Sequence, residues 1–152
     1  NVVGIESPGL ASAPAIGKYV VEELLSTLIN IKEKENYNPN VKKYVHMKEL
    51  SLEERNKLIK ENHKYGHIIC KCEYISEQEI LDTLSRSCPP HSIKALKKRV
   101  RAGFGKCQGG MCQPSVLDIL ANYYHINALD VNYDDLNTNI IKEITKVGDD
   151  NA

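Results

Sequence analysis

The chemistry this sequence can offer lies in its five cysteines, which are unevenly spaced: Cys70 and Cys72 flank one residue, Cys107 and Cys112 flank four, and Cys88 stands alone between the pairs. In a chain without an export signal, close pairs of this kind are more often metal ligands than disulfides, because a reducing compartment keeps thiols free. Four thiolates gather around one small inorganic centre when two come from each of two loops, and residues 73–106 are enough chain for a helical hairpin between the loops. Cys-x-Cys fits an extended strand or tight turn. Cys-x4-Cys requires the backbone to curl round the centre with amides pointing inward. Gly109 and Gly110 permit that curl, since glycine reaches positive φ without steric cost, and inward amides set the potential of thiolate-held clusters.

An iron-sulfur cluster is the favoured occupant of this pattern. Structural zinc is the second reading, although zinc sites usually pair ligands as Cys-x2-Cys or mix in histidine; disulfides or inert buried thiols are the third. An oxidised 2Fe-2S centre with four thiolates carries a net charge of about −2, so burying it calls for compensation. Lys71 and Lys106 adjoin expected ligands, Arg99 and Arg101 precede the second loop, and a helix opening near Pro114 would turn its positive end toward Cys112. Cys88 reads as an ordinary buried or surface thiol, and His67 as a surface or core histidine rather than a ligand. His91 and His125 receive no role.

The elements that must position these residues are mostly helical. Ser51 with Glu54, and Ser76 with Glu79, form Ser-x-x-Glu capping boxes that open two helices. Ile68 and Ile69 form a short extended segment delivering Cys70 and Cys72, and the helix from Ser76 turns Ile80, Leu81 and Leu84 inward. Pro89 and Pro90 bar its continuation. Ser92 caps a fourth helix with Ile93, Leu96 and Val100 inward, and Pro114 opens a fifth bearing Val116, Leu117, Leu120 and Tyr124. A weak helix is expected around 136–144. Nearer the N-terminus, Gly4, Pro8 and Gly9 mark a turn before a helix with the stripe Ile16, Val20, Leu24 and Leu28, for which Ser12 is the expected N-cap and Pro14 a first-turn residue. Residues 30–50 have the polar composition of a linker. The predicted organisation is therefore residues 1–29 as one piece, 30–65 as a linker with one helix, 66–126 as the cysteine domain and 127–152 as a tail.

Composition excludes more than it assigns. Twenty acidic residues balance twenty basic ones, so no single-sign field points to nucleic acid or an anionic membrane. No apolar run approaches the roughly 20 residues that span a bilayer, and no secretory signal is legible, which predicts a cytoplasmic protein. The chain starts at Asn1 without an initiator methionine, as a piece of a longer polypeptide would.

Two stretches resemble known families. Ile68-Ile69-Cys70-Lys71-Cys72-Glu73, followed by Arg99-Val100-Arg101-Ala102-Gly103-Phe104-Gly105-Lys106-Cys107-Gln108-Gly109-Gly110-Met111-Cys112, resembles the bacterioferritin-associated-ferredoxin-like 2Fe-2S domain over about residues 66–125. The resemblance implies a compact, mainly α fold in which Cys70, Cys72, Cys107 and Cys112 bind the cluster. Gly4-Ile5-Glu6-Ser7-Pro8-Gly9-Leu10-Ala11-Ser12-Ala13-Pro14-Ala15-Ile16-Gly17 resembles the last flavin-contacting segment of the D-amino-acid-oxidase-like FAD-dependent oxidoreductases. That resemblance implies that Ser7, Gly9, Leu10 and Ala11 line an FAD contact in a domain lying mostly upstream. Both stretches in this order are similar to the C-terminal part of bacterial FAD-dependent oxidoreductases of the glycerol-3-phosphate dehydrogenase type.

The expectation is thus an electron-transfer module, with an upstream FAD domain of the same polypeptide and an unidentified electron donor or acceptor as partners. As a piece it should lack dehydrogenase activity by itself. The rivals are a non-catalytic docking or iron-sensing module and a structural zinc-binding appendage, zinc also being a substitute metal at the same thiols.

Overall fold

The computed structural model describes residues 1–40 and 42–143, and the chain divides into two compact units, Asn1–Lys42 and Lys43–Ala152. The fold is mainly α with two short strands. In the first unit, helix α1 (Gly9–Tyr19) runs into a π-helical turn, Val20–Leu25, and a last helical turn α2 (Ser26–Leu28). The helix starts at Gly9 with Pro8 as N-cap, earlier than Ser12 predicts. Ser12 lies inside the first turns and its hydroxyl donates back to the Pro8 carbonyl at 3.0 Å, while Pro14 is an interior residue. Serine serves either role, because its hydroxyl donates to a carbonyl one turn back as readily as it accepts from an amide ahead. No residue of these helices is buried, and Leu24 and Leu28 of the apolar stripe, with Val21 beside it, are exposed.

The second unit begins at Lys43. Met47, in a 3-10 turn at Met47–Glu49, is fully buried, and its amide donates to Glu79 Oε1 at 3.2 Å. Ser51 and Glu54 form the capping box that opens α3 (Leu52–Glu61). Arg55 of this helix donates to the Lys48 carbonyl and stacks over the Tyr74 ring. After a 3-10 turn at His63–Tyr65 comes β1 (Ile68–Cys70), paired antiparallel with β2 (Ile75–Ser76). The hairpin turn holds Cys72, and Tyr74 closes it at positive φ.

Ser76 and Glu79 form the second capping box, opening α4 (Glu77–Leu84). Here the box does more than end a helix. Glu79 is buried and accepts from the Ser76 amide and hydroxyl as well as from Met47, so one carboxylate joins residues near 47 to the hairpin and to α4. α4 ends at Leu84, before the prolines, where Ser85, Arg86 and Ser87 interrupt the apolar pattern.

Ser92 caps α5 (Ile93–Val100), whose Ile93, Leu96 and Val100 face inward, and Arg101 ends it in the left-handed conformation. The glycine-rich loop then leads to α6 (Gln113–Tyr124), with Cys112 at its N-cap position and Pro114 in its first turn. No helix occupies the described part of 136–144. Instead Asn132 bridges Asn139, the Tyr133 amide donates to the Thr138 carbonyl, and the Asp134 amide to the Thr138 hydroxyl. Residue 144 lies outside the described residues. The Asp134-Asp135-Leu136-Asn137-Thr138 run favours a turn, since its short polar side chains compete with a helix for backbone hydrogen bonds. Carbonyls of Asn132 and Tyr133 in turn accept from the first-turn amides of Ile93 and Lys94, and Lys94 pairs with Asp134.

The core of this unit joins Ile69, Ile75, Ile80, Leu84, Leu96, Val116, Leu117, Leu120 and Val131, and it includes two of the thiols, Cys70 and Cys112. Replacing Glu79→Ala should cost about 2–4 kcal/mol, because it strands buried donors. Urea unfolding reads the loss, and faster hydrogen exchange of the Met47 amide at denaturant concentrations below the transition would show that the tie to residues near 47 was cut.

Candidate metal centre

Each thiol owes its position to a different local device. Cys70 is the last residue of β1, buried in the core beside Ile69, and it is 1% exposed. Cys72 lies two residues on, in the hairpin turn, and is exposed. Cys107 lies in the glycine-rich loop, and Cys112, 2% exposed, stands at the head of α6. The thiols of the two loops meet as an outer and an inner pair. Cys72 Sγ lies 3.6 Å from Cys107 Sγ, and the Cys112 thiol is hydrogen-bonded to Cys70 while feeling the charge of Cys107.

The curl between Cys107 and Cys112 depends on more glycines than the sequence pattern singles out. Gly109 has φ +93°, as expected, but among the residues of positive φ the partner in this loop is Gln108 rather than Gly110. A Cβ on Gly110 would meet the Cys107 carbonyl oxygen at 3.3 Å, so its role is close approach. The residue that sequence reasoning missed is Gly105. A Cβ there would lie 2.2 Å from Cys72 Cβ and 3.2 Å from its sulfur, so the second loop rests its backbone on the first. Only its place two residues before a cysteine could have signalled that contact.

The two pairs differ electrostatically. The amide of Met111, then that of Gly109, donates toward the Cys107 sulfur, and together with the Cys72 thiol they hold Cys107 below the ordinary thiol pKa. Burial, followed by the nearby Cys70, pushes Cys112 up to about 11. The expected inward amides are therefore present, and they serve the outer pair. Among the described residues, no three His, Cys, Asp or Glu side chains gather as donors to a single ion. Two pairs of thiols suit a centre of two irons, each taking two thiolates. Zinc would need all four sulfurs about 2.3 Å from one point.

The remaining candidates lie elsewhere. Cys88 is exposed, and His67 Nδ1 sits 2.8 Å from Glu77 Oε2, where the imidazole is the first cause holding that carboxyl below its usual value. His91 packs on Tyr124, and His125 ends α6 in the left-handed conformation. Ser7, Gly9, Leu10 and Ala11 belong to the first unit, Ser7 before the N-cap and the other three in the first turn of α1. Leu10 is 94% exposed.

Residues 68–122, which hold all four thiols, match the BFD-like 2Fe-2S binding domain. A wider likeness covers both units. Glycerol 3-phosphate dehydrogenase of Caloramator mitchellensis is 43% identical over 146 residues, which are 96% of this chain and 30% of that protein. An opine oxidase component from Rhizobium meliloti is 31% identical over 65 residues, 42% of this chain and 12% of that protein. The chain thus spans about 30% of the length of the first relative. No solved structure matches it. No helix among the described residues is long and apolar enough to cross a membrane.

The contact at Gly105 and the contrast between the thiol pairs each have a measurable outcome. Gly105→Ala should displace the Cys72 turn and lower iron retention about tenfold or more, with the helical circular dichroism kept. In metal-free protein, iodoacetamide should modify Cys72, Cys88 and Cys107 well before Cys70 and Cys112, as timed peptide mass spectrometry would read, because the inner thiols are buried.

Proposed function

We propose that this chain is the iron-sulfur electron-transfer module of a flavin-dependent dehydrogenase, with Cys70, Cys72, Cys107 and Cys112 as the ligands of a 2Fe-2S cluster. The observation that carries the reading is the meeting of two distant loops as two thiol pairs, one of them supplied with backbone amides. When bound, such a cluster accepts and gives up one electron at a time. The chain's own residues do the rest. Cys70 and Cys112 fix the inner side within the apolar core, the Met111 and Gly109 amides favour thiolate at Cys107, and Gly105 lets the loops touch.

The parent enzyme, in this reading, oxidises a small hydroxylated substrate at FAD and passes the electrons through this module to an acceptor. The likeness to a glycerol 3-phosphate dehydrogenase over 96% of the chain supports glycerol 3-phosphate as that substrate. Residues 1–29 are then the end of the FAD domain, with Ser7, Gly9, Leu10 and Ala11 at the flavin. The exposed apolar residues Val21, Leu24 and Leu28 support a covering domain, and a helix start whose amides lack helical partners suits an electron-rich ring. Residues 66–126 are the cluster domain, joined to the flavin part by residues 30–65, and the compartment is the cytoplasm.

An anaerobic absorption spectrum of the purified chain, with iron, sulfide and zinc analysis, tests the reading. Visible thiolate-to-iron bands that bleach on reduction are expected, with about two irons and two sulfides per chain, and Cys107→Ser should shift or abolish them. A colourless protein with about one zinc, which anaerobic reconstitution with iron and sulfide fails to convert, would overturn it in favour of a structural zinc site.

A further inference from the structure

The outer thiol pair opens onto a face whose composition differs from that of the chain as a whole. From Ser85 to Leu117 the sequence has seven Lys and Arg residues and no Asp or Glu, although the full chain is balanced. Four basic side chains lie beside the outer sulfurs in sequence or against Phe104 of the loop that holds Cys107. Lys71 separates Cys70 from Cys72, Lys106 precedes Cys107, and Lys97 and Arg101 lie over the Phe104 ring at 4.7 and 5.2 Å. The acidic residue within this group is Glu73, which is engaged by Arg101 at 3.5 Å and by Lys48 at 3.9 Å. Asp118 stands further along α6, beside Gly109, Gly110 and Pro114. Among the described residues, no ion pair involves Lys71, Lys97 or Lys106.

Within this basic rim the surface is apolar. Met111 is 76% exposed and Phe104 42%, and each belongs to the loop that encloses the outer sulfurs. An apolar centre inside a charged rim is the anatomy of a protein contact site. We propose that this face is the docking surface for a separate electron-carrier protein whose redox centre is ringed by Asp and Glu. The inference rests on the 2Fe-2S reading. The inner pair, Cys70 and Cys112, is closed off by the core, so the face bearing Cys72 and Cys107 gives an electron its shortest way out.

The charge of the partner can be tested with one redox protein in two charge forms. The cluster-loaded chain is reduced with dithionite, desalted, and mixed in a stopped-flow instrument with ferric cytochrome c, either native and basic or succinylated on its lysines and acidic. One electron leaves the cluster and reduces the haem iron from ferric to ferrous, with no proton or bond transferred. At low ionic strength the acidic form should react at least about tenfold faster than the native form, and salt should narrow the gap. Lys97→Glu combined with Lys106→Gln should shrink or invert the preference. Lys98→Glu combined with Lys60→Gln, at exposed side chains on α5 and α3, makes the same change in net charge and serves as the control.

Faster reaction of the native basic form at low salt would overturn the proposal, because the cluster's own negative charge would then dominate the face. So would an equal effect of the control substitutions, which would reduce the result to overall charge. Self-association of the cluster-loaded chain in sedimentation velocity, lost in the Lys97→Glu with Lys106→Gln variant, would point to a second copy of this chain as the occupant and would also overturn it. Failure to load a cluster at all appears in the absorption spectrum before mixing, and sinks the reading beneath the proposal rather than the surface alone.

Discussion

The structure around the thiols depends on one close approach, the backbone of Gly105 against the side chain of Cys72. In this structure the second loop rests on the first there, and a Cβ at residue 105 would lie 2.2 Å from Cys72 Cβ and hold them apart. What brings them to that distance is ordinary packing. α4 and α5 return the chain over the same core that takes in Cys70 and Cys112, so the inner thiols are placed by burial and the outer ones follow from them. The carbonyls of Asn132 and Tyr133 hold the first turn of α5, which fixes the helix that leads into the second loop.

That placement sets two electrostatic demands against each other. Burial resists charge on Cys112, raising its pKa to about 11, while amides at the outer side favour charge on Cys107. Burial therefore favours the neutral thiol at Cys112. A metal bound at Cys112 would displace that proton, so metal binding and proton release would be coupled there.

The parts of this arrangement legible in the sequence are those governed by short-range rules. Both capping boxes, the Ser92 cap and the inward faces of α4, α5 and α6 rest on spacings of a few residues, where side-chain geometry leaves few alternatives. The misread parts depend on tertiary partners. Ser12 satisfies either end of a hydrogen bond, and only the turn at Pro8 decides which. The apolar residues after 136 suggested a helix, yet Thr138 gives its neighbours a turn that also serves α5. Gly105 looks like any loop glycine until Cys72 is placed beside it, and Glu79 looks like a helix cap until Met47 is found on its other oxygen.

The basic residues of the second loop separate along the same line. Lys97, Lys98 and Arg99 occupy the last turn of α5, where positive charge complements the helix end, so helix electrostatics alone would retain them on any such element. That account stops at Val100. Arg101 adopts a left-handed backbone conformation, in which glycine carries no penalty, and its guanidinium turns to Glu73 and Phe104. Lys71 and Lys106 lie on no helix at all. These three share proximity to the exposed sulfurs rather than any secondary-structure requirement. A centre of net charge about −2 under that surface draws positive charge whatever its partner is. It does not require those charges to remain exposed around an apolar centre made by Phe104 and Met111, and that combination is what distinguishes a contact face from simple charge compensation.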